Sequence, residues 1–397
     1  MQSTTTIHIK CKMKKNNFNN INDSHTKTEI EGQPKLWDQV YELLVNKEDE
    51  IQAFLLPLFS LGNLQIILTG AGSSAFIGEA AQGVVQKNTG CNTRAIATTD
   101  LITHPELYFR SNLPTLLISF ARSGNSPESL ETVTLANEYC TEIYHLIITC
   151  NHDGELMKYA AENKKNSFAI LLPESCNDKS LAMTGSFTCM LLSILLVGDL
   201  KSLNNRKPEI KQIIEQGELI LNSFEEIKTI TEKDFNRVVF LGSGSMLGIA
   251  REGHLKLQEL TDGQIICKFD SFLGFRHGPR AVINEKTLLV YLFSPSDHVY
   301  QYELDLASSI AKDSRNINCL TIGRSEEISL KSCLNLDLKL NQEQELNIVP
   351  ATLIGQILGY YKSLQLGLDP DNPSISGSIS RVVQGVTIFE FPKIEVK

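Results

Sequence analysis

The sequence lacks the marks of a metal site, a disulfide framework or a membrane anchor. Its 397 residues include nine cysteines, yet none forms Cys-x-x-Cys and no regular spacing recurs. An odd, unpatterned set in a long chain reads as free thiols in a reducing compartment. The eight histidines do not pair with cysteines at zinc spacing, so no metal is expected. Positive charge is also scarce. Lys and Arg number 37 against 46 Asp and Glu, a net charge of −9. That balance argues against nucleic acid or an anionic membrane as partner, but leaves room for a small anion held by local positive character. No apolar h-region opens the chain, so no secretory signal is expected. The most apolar stretch, Phe187 to Gly198, is too short to span a bilayer. The expectation is a cytoplasmic protein that works without a cofactor.

What is present is a repeat. Ile67-Leu68-Thr69-Gly70-Ala71-Gly72-Ser73 matches Val239-Phe240-Leu241-Gly242-Ser243-Gly244-Ser245, an offset of 172. The same shift carries Thr115-Leu116-Leu117-Ile118 onto Thr287-Leu288-Leu289-Val290, and Leu146-Ile147-Ile148-Thr149 onto Asn318-Cys319-Leu320-Thr321. One offset serving three segments predicts two copies of one α/β unit, each of domain size.

Short runs dense in Ile, Leu and Val alternate with helical patterns. They fall at 65–69, 93–98, 115–120, 144–149 and 168–172, then at 237–241, 264–269, 287–293, 317–322 and 334–340. Such runs predict strands buried on both faces, hence five-stranded parallel sheets sandwiched by helices, flavodoxin-like, in two tandem domains. Residues 1–34 are expected as a disordered tail, with Met13 a candidate true start. The first domain is assigned to 35–205, a connecting and weakly helical segment to 206–235, and the second domain with a C-terminal tail to 236–397. An apolar run from Val382 to Phe391 is expected to form a closing strand.

Two loops of the first copy follow strands and open helices. They are Gly70-Ala71-Gly72-Ser73-Ser74 and Ala121-Arg122-Ser123-Gly124-Asn125-Ser126-Pro127-Glu128. Small residues admit close backbone approach, hydroxyls donate, and a helix N-terminus favours an anion. Ser73, Ser74, Arg122, Ser123 and Ser126 are therefore candidate phosphate ligands. No Gly-x-x-x-x-Gly-Lys-[Ser/Thr] occurs, so the loops are not a nucleotide P-loop. Thr184 either caps the apolar helix after it or reaches the same phosphate. At the offset of 172 the second loop becomes Ser294-Pro295-Ser296-Asp297-His298, where an aspartate would repel a phosphate.

The second copy supplies what the first lacks. Lys256 and Glu259 stand three apart on a predicted helix and share a face. His277 follows in the loop Phe275-Arg276-His277-Gly278-Pro279. An imidazole or ammonium can open a sugar ring. A carboxylate can carry a proton from C2 to C1, best if desolvation raises its pKa, and Leu257 and Leu260 flank Glu259. Each residue also has a structural reading: a surface ion pair for Lys256 and Glu259, a structural loop histidine for His277, a packed position for His254, and structural charges for Arg251 and Glu252.

With these residues in hand, the sequence resembles the sugar isomerase (SIS) superfamily and, within it, the AgaS-type galactosamine-6-phosphate deaminase/isomerases. The matches are Gly-Ala-Gly-Ser-Ser at 70–74, Phe-Ala-Arg-Ser-Gly-Asn-Ser-Pro-Glu-Ser at 120–129, Gly-Phe-Arg-His-Gly-Pro at 274–279, Asp-Asn-Pro at 371–373 and Arg-Val-Val-Gln-Gly-Val at 381–386. The resemblance implies tandem SIS domains and a phosphosugar held by Ser73, Ser74, Ser123 and Ser126. It is also similar to the isomerase half of glucosamine-6-phosphate synthase, which implies chemistry by Lys256, Glu259 and His277 and assembly as a homo-oligomer. Arg276 replaces the lysine expected before His277, and Ser380 an expected asparagine. Arg381 stands near the synthase's tail lysine. An arginine cannot form a Schiff base, so it is read as a phosphate or hydroxyl contact. No glutaminase domain precedes residue 35, so glutamine is not expected as an ammonia source. The implied reaction converts galactosamine 6-phosphate to tagatose 6-phosphate and ammonia. The rivals are a plain aldose–ketose isomerase, a non-catalytic phosphosugar sensor and, from Gly242-Ser243-Gly244, a dinucleotide-binding oxidoreductase. The spacing departs from Gly-x-Gly-x-x-Gly and disfavours the last.

Overall fold

The structure is a computed structural model and describes residues 24–315, 317–324, 333–339, 345–383 and 385–391. One sheet holds β1 (Gln65–Thr69), β2 (Asn92–Ala95), β3 (Thr115–Ala121), β4 (Ile143–Thr149) and β5 (Ser167–Leu171), in the order β2-β1-β3-β4-β5. The other holds β6 (Arg237–Gly242), β7 (Ile266–Asp270), β8 (Thr287–Leu292), β9 (Asn318–Gly323) and β10 (Cys333–Asp337), in the equivalent order β10-β9-β8-β6-β7. All pairings are parallel. Strands β1, β3 and β8 are buried at every residue. Their unbroken apolar runs therefore need helices on both faces, which is the expected architecture.

The repeat survives in three dimensions, with one adjustment. Gln65 faces Thr115, and their counterparts Arg237 and Thr287 face each other in the same register. Ile118, however, pairs with Leu146, whereas Val290 pairs with Leu320. The structural counterpart of Leu146 is thus Leu320, not the Asn318 that the sequence offset selects. A slip of two positions keeps each side chain on its face of the sheet, so the core tolerates it.

Three expectations need correction. Residues 24–34 belong to ordered helices, His25–Glu31 and the start of Gln33–Asn46. The cause is remote: Asp371 accepts bonds from Ser24 Oγ at 2.8 Å, His25 N at 2.9 Å and Thr26 N at 2.7 Å. The rest of the expected tail, 1–23, lies outside the described residues. The connecting segment is helical, as expected, and forms two amphipathic helices, Lys207–Asn222 and Phe224–Thr231, whose Ile210, Ile213, Ile220 and Ile227 are fully buried. No strand forms among the described residues of 382–391. Phe391 instead packs edge-on to Tyr139, 6.2 Å away. Finally, six cysteines are free, as expected, but Cys319 is disulfide-bonded. Strand pairing, not spacing along the chain, decides which cysteines come close enough to bridge.

The two halves meet along two helices, Ser73–Thr89 and Ser245–Leu260. A Cβ on Gly248 would stand 2.5 Å from the Ala80 nitrogen, so only glycine permits this approach. Arg251 pairs with Glu79 and stacks over the Phe76 ring at 4.5 Å. The Glu252 carboxyl lies beside the Ser73 hydroxyl. As one helix advances from Gly248 to Glu252, its contacts retreat along the other from Ala80 to Ser73. The next two turns therefore project past the start of the first helix, toward its phosphate-type loops.

Candidate active site

The first loop turns on Gly72, at φ +56° and ψ −129°, and its counterpart Gly244 repeats this at φ +55° and ψ −127°. Residues with a Cβ avoid that region. The turn aims the following helix start at the end of β1. The second loop ends at Ser126, whose hydroxyl accepts from Ser129 N at 3.3 Å and donates to Ser129 Oγ at 2.7 Å. Pro127 then begins the helix, where its missing N–H costs nothing. Between the loops lies a cavity of about 110 Å³ lined by Ala71, Ser74, Arg122, Ser123, Ser126, Glu128, Met183 and Arg381 among others. Its volume is several times a water's share of the liquid, about 30 Å³.

The expected ligands divide. Ser74, Ser123 and Ser126 line the cavity. Ser73 does not; it is buried beside the Glu252 carboxyl, whose pKa it helps to lower. Arg122 is buried, and its Nη1 donates to Leu181 O at 3.1 Å while its Nη2 donates to Arg381 O at 2.5 Å. Arg381 in turn donates from Nε to Asp178 O at 2.8 Å and from Nη2 to Asn177 Oδ1 at 2.7 Å. Both arginines thus tie the C-terminal segment over the cavity. Thr184 is fully buried and outside the lining; its hydroxyl donates to Asp178 Oδ1 at 2.7 Å.

Asp178 carried no signal in the sequence. It accepts from the backbone N–H groups of Thr184, Gly185 and Ser186 and from two hydroxyls, at the start of the buried Gly185–Val197 helix. A carboxylate there satisfies orphan donors and meets the positive end of the helix dipole.

The acid–base group is a triad, not a pair. Lys256 Nζ stands 2.5 Å from Glu259 Oε2 and 3.5 Å from Glu252 Oε1. Burial alone would lower the Lys256 pKa, but Glu252 and then Glu259 raise it, so the ammonium persists. The surface ion-pair reading is overturned, since Lys256 is 1% exposed. The desolvated carboxyl is Glu252, which burial pushes up to about 7 against the lowering effect of Lys256. Glu259 keeps 24% of its exposure, so flanking leucines did not desolvate it as expected. The residue at the helix tip faces open space, while the one a heptad earlier faces the joint. Glu252 had a sequence signal, a carboxylate four residues before Lys256 on the same face. Across the joint, Arg122 has its pKa lowered by burial and raised in part by Asp178 and Glu259, and it acts in turn on Lys256. The triad of the second half thus sits in the field of the cavity of the first.

Two histidines go elsewhere. His254 packs its ring 4.9 Å from that of Phe269, and burial lowers its pKa. His277 is exposed after the short Phe272–Phe275 helix and is absent from the cavity lining. Among the described residues no group of three His, Cys, Asp or Glu could hold a metal ion, and no helix is long and apolar enough to cross a membrane.

No family model matches the chain. A protein from Shewanella sp. strain ANA-3, called D-galactosamine-6-phosphate deaminase AgaS, is 41% identical over 93% of this chain and 92% of its own. The chain belongs to the AgaS family. A further AgaS protein, from Escherichia coli O157:H7, is 38% identical over 91% of this chain and 95% of its own. The solved tagatose-6-phosphate ketose/aldose isomerase from Escherichia coli superposes with a TM-score of 0.85 at 34% identity, over 94% and 98% of the two chains. That isomerase therefore shares the tandem two-sheet architecture described above.

Proposed function

We propose that the chain converts D-galactosamine 6-phosphate and water into tagatose 6-phosphate and ammonia. The observation that carries this reading is a hydroxyl-lined cavity suited to a phosphate ester in the first half, together with the Lys256–Glu259 pair, 2.5 Å apart, near enough to act on the Arg122 that lines it. Ser74, Ser123, Ser126 and the loop N–H groups hold the phosphate, and that remote binding positions C1 and C2. The ring opens to the amino-aldehyde. The Glu259 carboxylate takes the C2 proton and returns it to C1, while the Lys256 ammonium faces the charge that develops on O1. The product is an imine at C2. Water adds there and ammonia leaves, giving the ketose.

His277 is proposed as the ring-opening group, working in the site of a neighbouring copy. The support is its exposure just after a short helix that also presents Leu273, 48% exposed. This reading requires a homo-oligomer, and the protein is proposed to act in the cytoplasm on a phosphosugar.

The name of the solved Escherichia coli isomerase supports a second reading, aldose–ketose isomerisation of a hexose 6-phosphate that carries no amine. One assay separates them. Ammonia is measured with purified protein across hexosamine 6-phosphates, with tagatose 6-phosphate run in the reverse direction. Stoichiometric ammonia from the galacto epimer supports the first reading; conversion of tagatose 6-phosphate to its aldose, with no ammonia from any hexosamine 6-phosphate, sinks it.

A further inference from the structure

The second half keeps the same strand-turn-helix as the first, yet its cradle is closed from within. The offset of 172 holds in the registers of β1 with β3 and of β6 with β8. It maps Ala71 onto Ser243 and Arg122 onto Ser294, and Ala71 and Arg122 both line the first cavity. In the second half these two counterparts face a carboxyl of the chain itself. Glu303, on the Asp297–Ala311 helix that follows β8, accepts from Ser294 N at 2.8 Å. The Ser243 hydroxyl lies close enough to lower its pKa, although burial is the larger effect and raises it to about 7. Glu303 is fully buried, and its Oε1 has no hydrogen-bond partner.

A helix start and two small residues alone would carry no inference. The buried carboxyl does, because it places two acceptor oxygens between the ends of the two strands where the first half holds its cavity. A planar carboxylate offers the same acceptor chemistry to an N–H and a hydroxyl as two oxygens of a phosphate. Ser296 stands before the helix after β8 as Ser126 does before the helix after β3, but Ser74 and Ser123 become Met246 and Pro295 at the same offset. A free phosphate would have to displace Glu303 without those two hydroxyls.

We infer that Glu303 is the built-in occupant of the second half's oxyanion cradle, so that each chain offers one phosphate site, and that removing this side chain opens a second one. This inference does not depend on which sugar the enzyme converts or on whether it deaminates.

The test counts inorganic phosphate bound to the full-length protein by equilibrium dialysis. Wild type is expected to take one phosphate per chain. Glu303→Gln keeps the shape and is also expected to take one. Glu303→Ala is expected to take two, and the added phosphate should persist when Ser123→Asp spoils the first cradle. Two phosphates on wild type, or one on folded Glu303→Ala, overturns the inference. Glu303→Ser serves if the alanine variant does not fold, and the wild-type count decides if neither does.

Discussion

Glu79 and Arg251 occupy the same position of the repeat, 172 residues apart, and they are ion-paired with each other across the joint. Equivalent positions touch each other only on a two-fold axis, as in a symmetric dimer. Two identical copies would place like charges there. Divergence within one chain has made the contact attractive, which is a benefit that a homodimer of single copies cannot have.

Reversing one of the two charges should therefore be costly, and reversing both should cost less. Arg251→Glu is expected to lower the melting temperature, with a pair contribution of about 1 kcal/mol because both side chains are part-exposed. The exchange Glu79→Arg with Arg251→Glu should recover part of the loss. A double-mutant cycle in urea measures the coupling; zero coupling removes the electrostatic account.

Glu259→Gln removes the proposed proton carrier while leaving the phosphate cavity intact. Ammonia release should fall by about 10² to 10⁴ with little change in binding of the sugar phosphate. Retention of most activity in a steady-state assay assigns the proton transfer to another group.

Lys256 neutralises two carboxyls in a buried place. Lys256→Met should cost on the order of 3–5 kcal/mol, since Glu252 is left without its cation. The Glu252 pKa should then rise further, so the loss should shrink as the pH falls and the carboxyl takes a proton. Urea melts at pH 5 and pH 8 check this; an equal loss at both leaves burial of charge out of the explanation.

Glu303 gives a cleaner pH linkage. Its pKa is raised from 4.5 to about 7 on folding. Its protonated form is favoured in the fold, so its contribution is intact below pH 4.5 and is lost as pH rises through 7. Glu303→Gln, which cannot ionise, should gain on wild type between pH 5 and pH 8. The ceiling is ~3 kcal/mol, since each tenfold change in proton affinity is worth about 1.36 kcal/mol. Parallel stability curves for the two proteins contradict the assignment.

Asp178→Ala takes away one acceptor of five bonds at the start of a buried helix. A loss of about 2 kcal/mol or more is expected from the missing cap. Proteolysis should also reach the segment around Arg381 sooner, because its guanidinium is held by the backbone of the same loop.

Periodicity and turn chemistry made much of this legible. Apolar runs without alternation marked the buried parallel strands, and Gly72 and Gly244 marked turns that only glycine makes. Spacing of three placed Lys256 and Glu259 on one face. The order of residues 24–34 was not legible, because Asp371, which holds them, lies far along the chain. The same is true of Arg122 and Arg381, whose partners are backbone carbonyls and leave no compositional trace.

Local sequence thus determined which segments become strands and helices, and which chemical groups each half carries, since both depend on near neighbours along the chain. Tertiary structure decided which carboxyl is desolvated, which serines face open space and which half keeps an empty cradle. Those outcomes depend on what a side chain meets from the opposite element, and burial and electrostatic fields act through space between residues that the chain order leaves far apart.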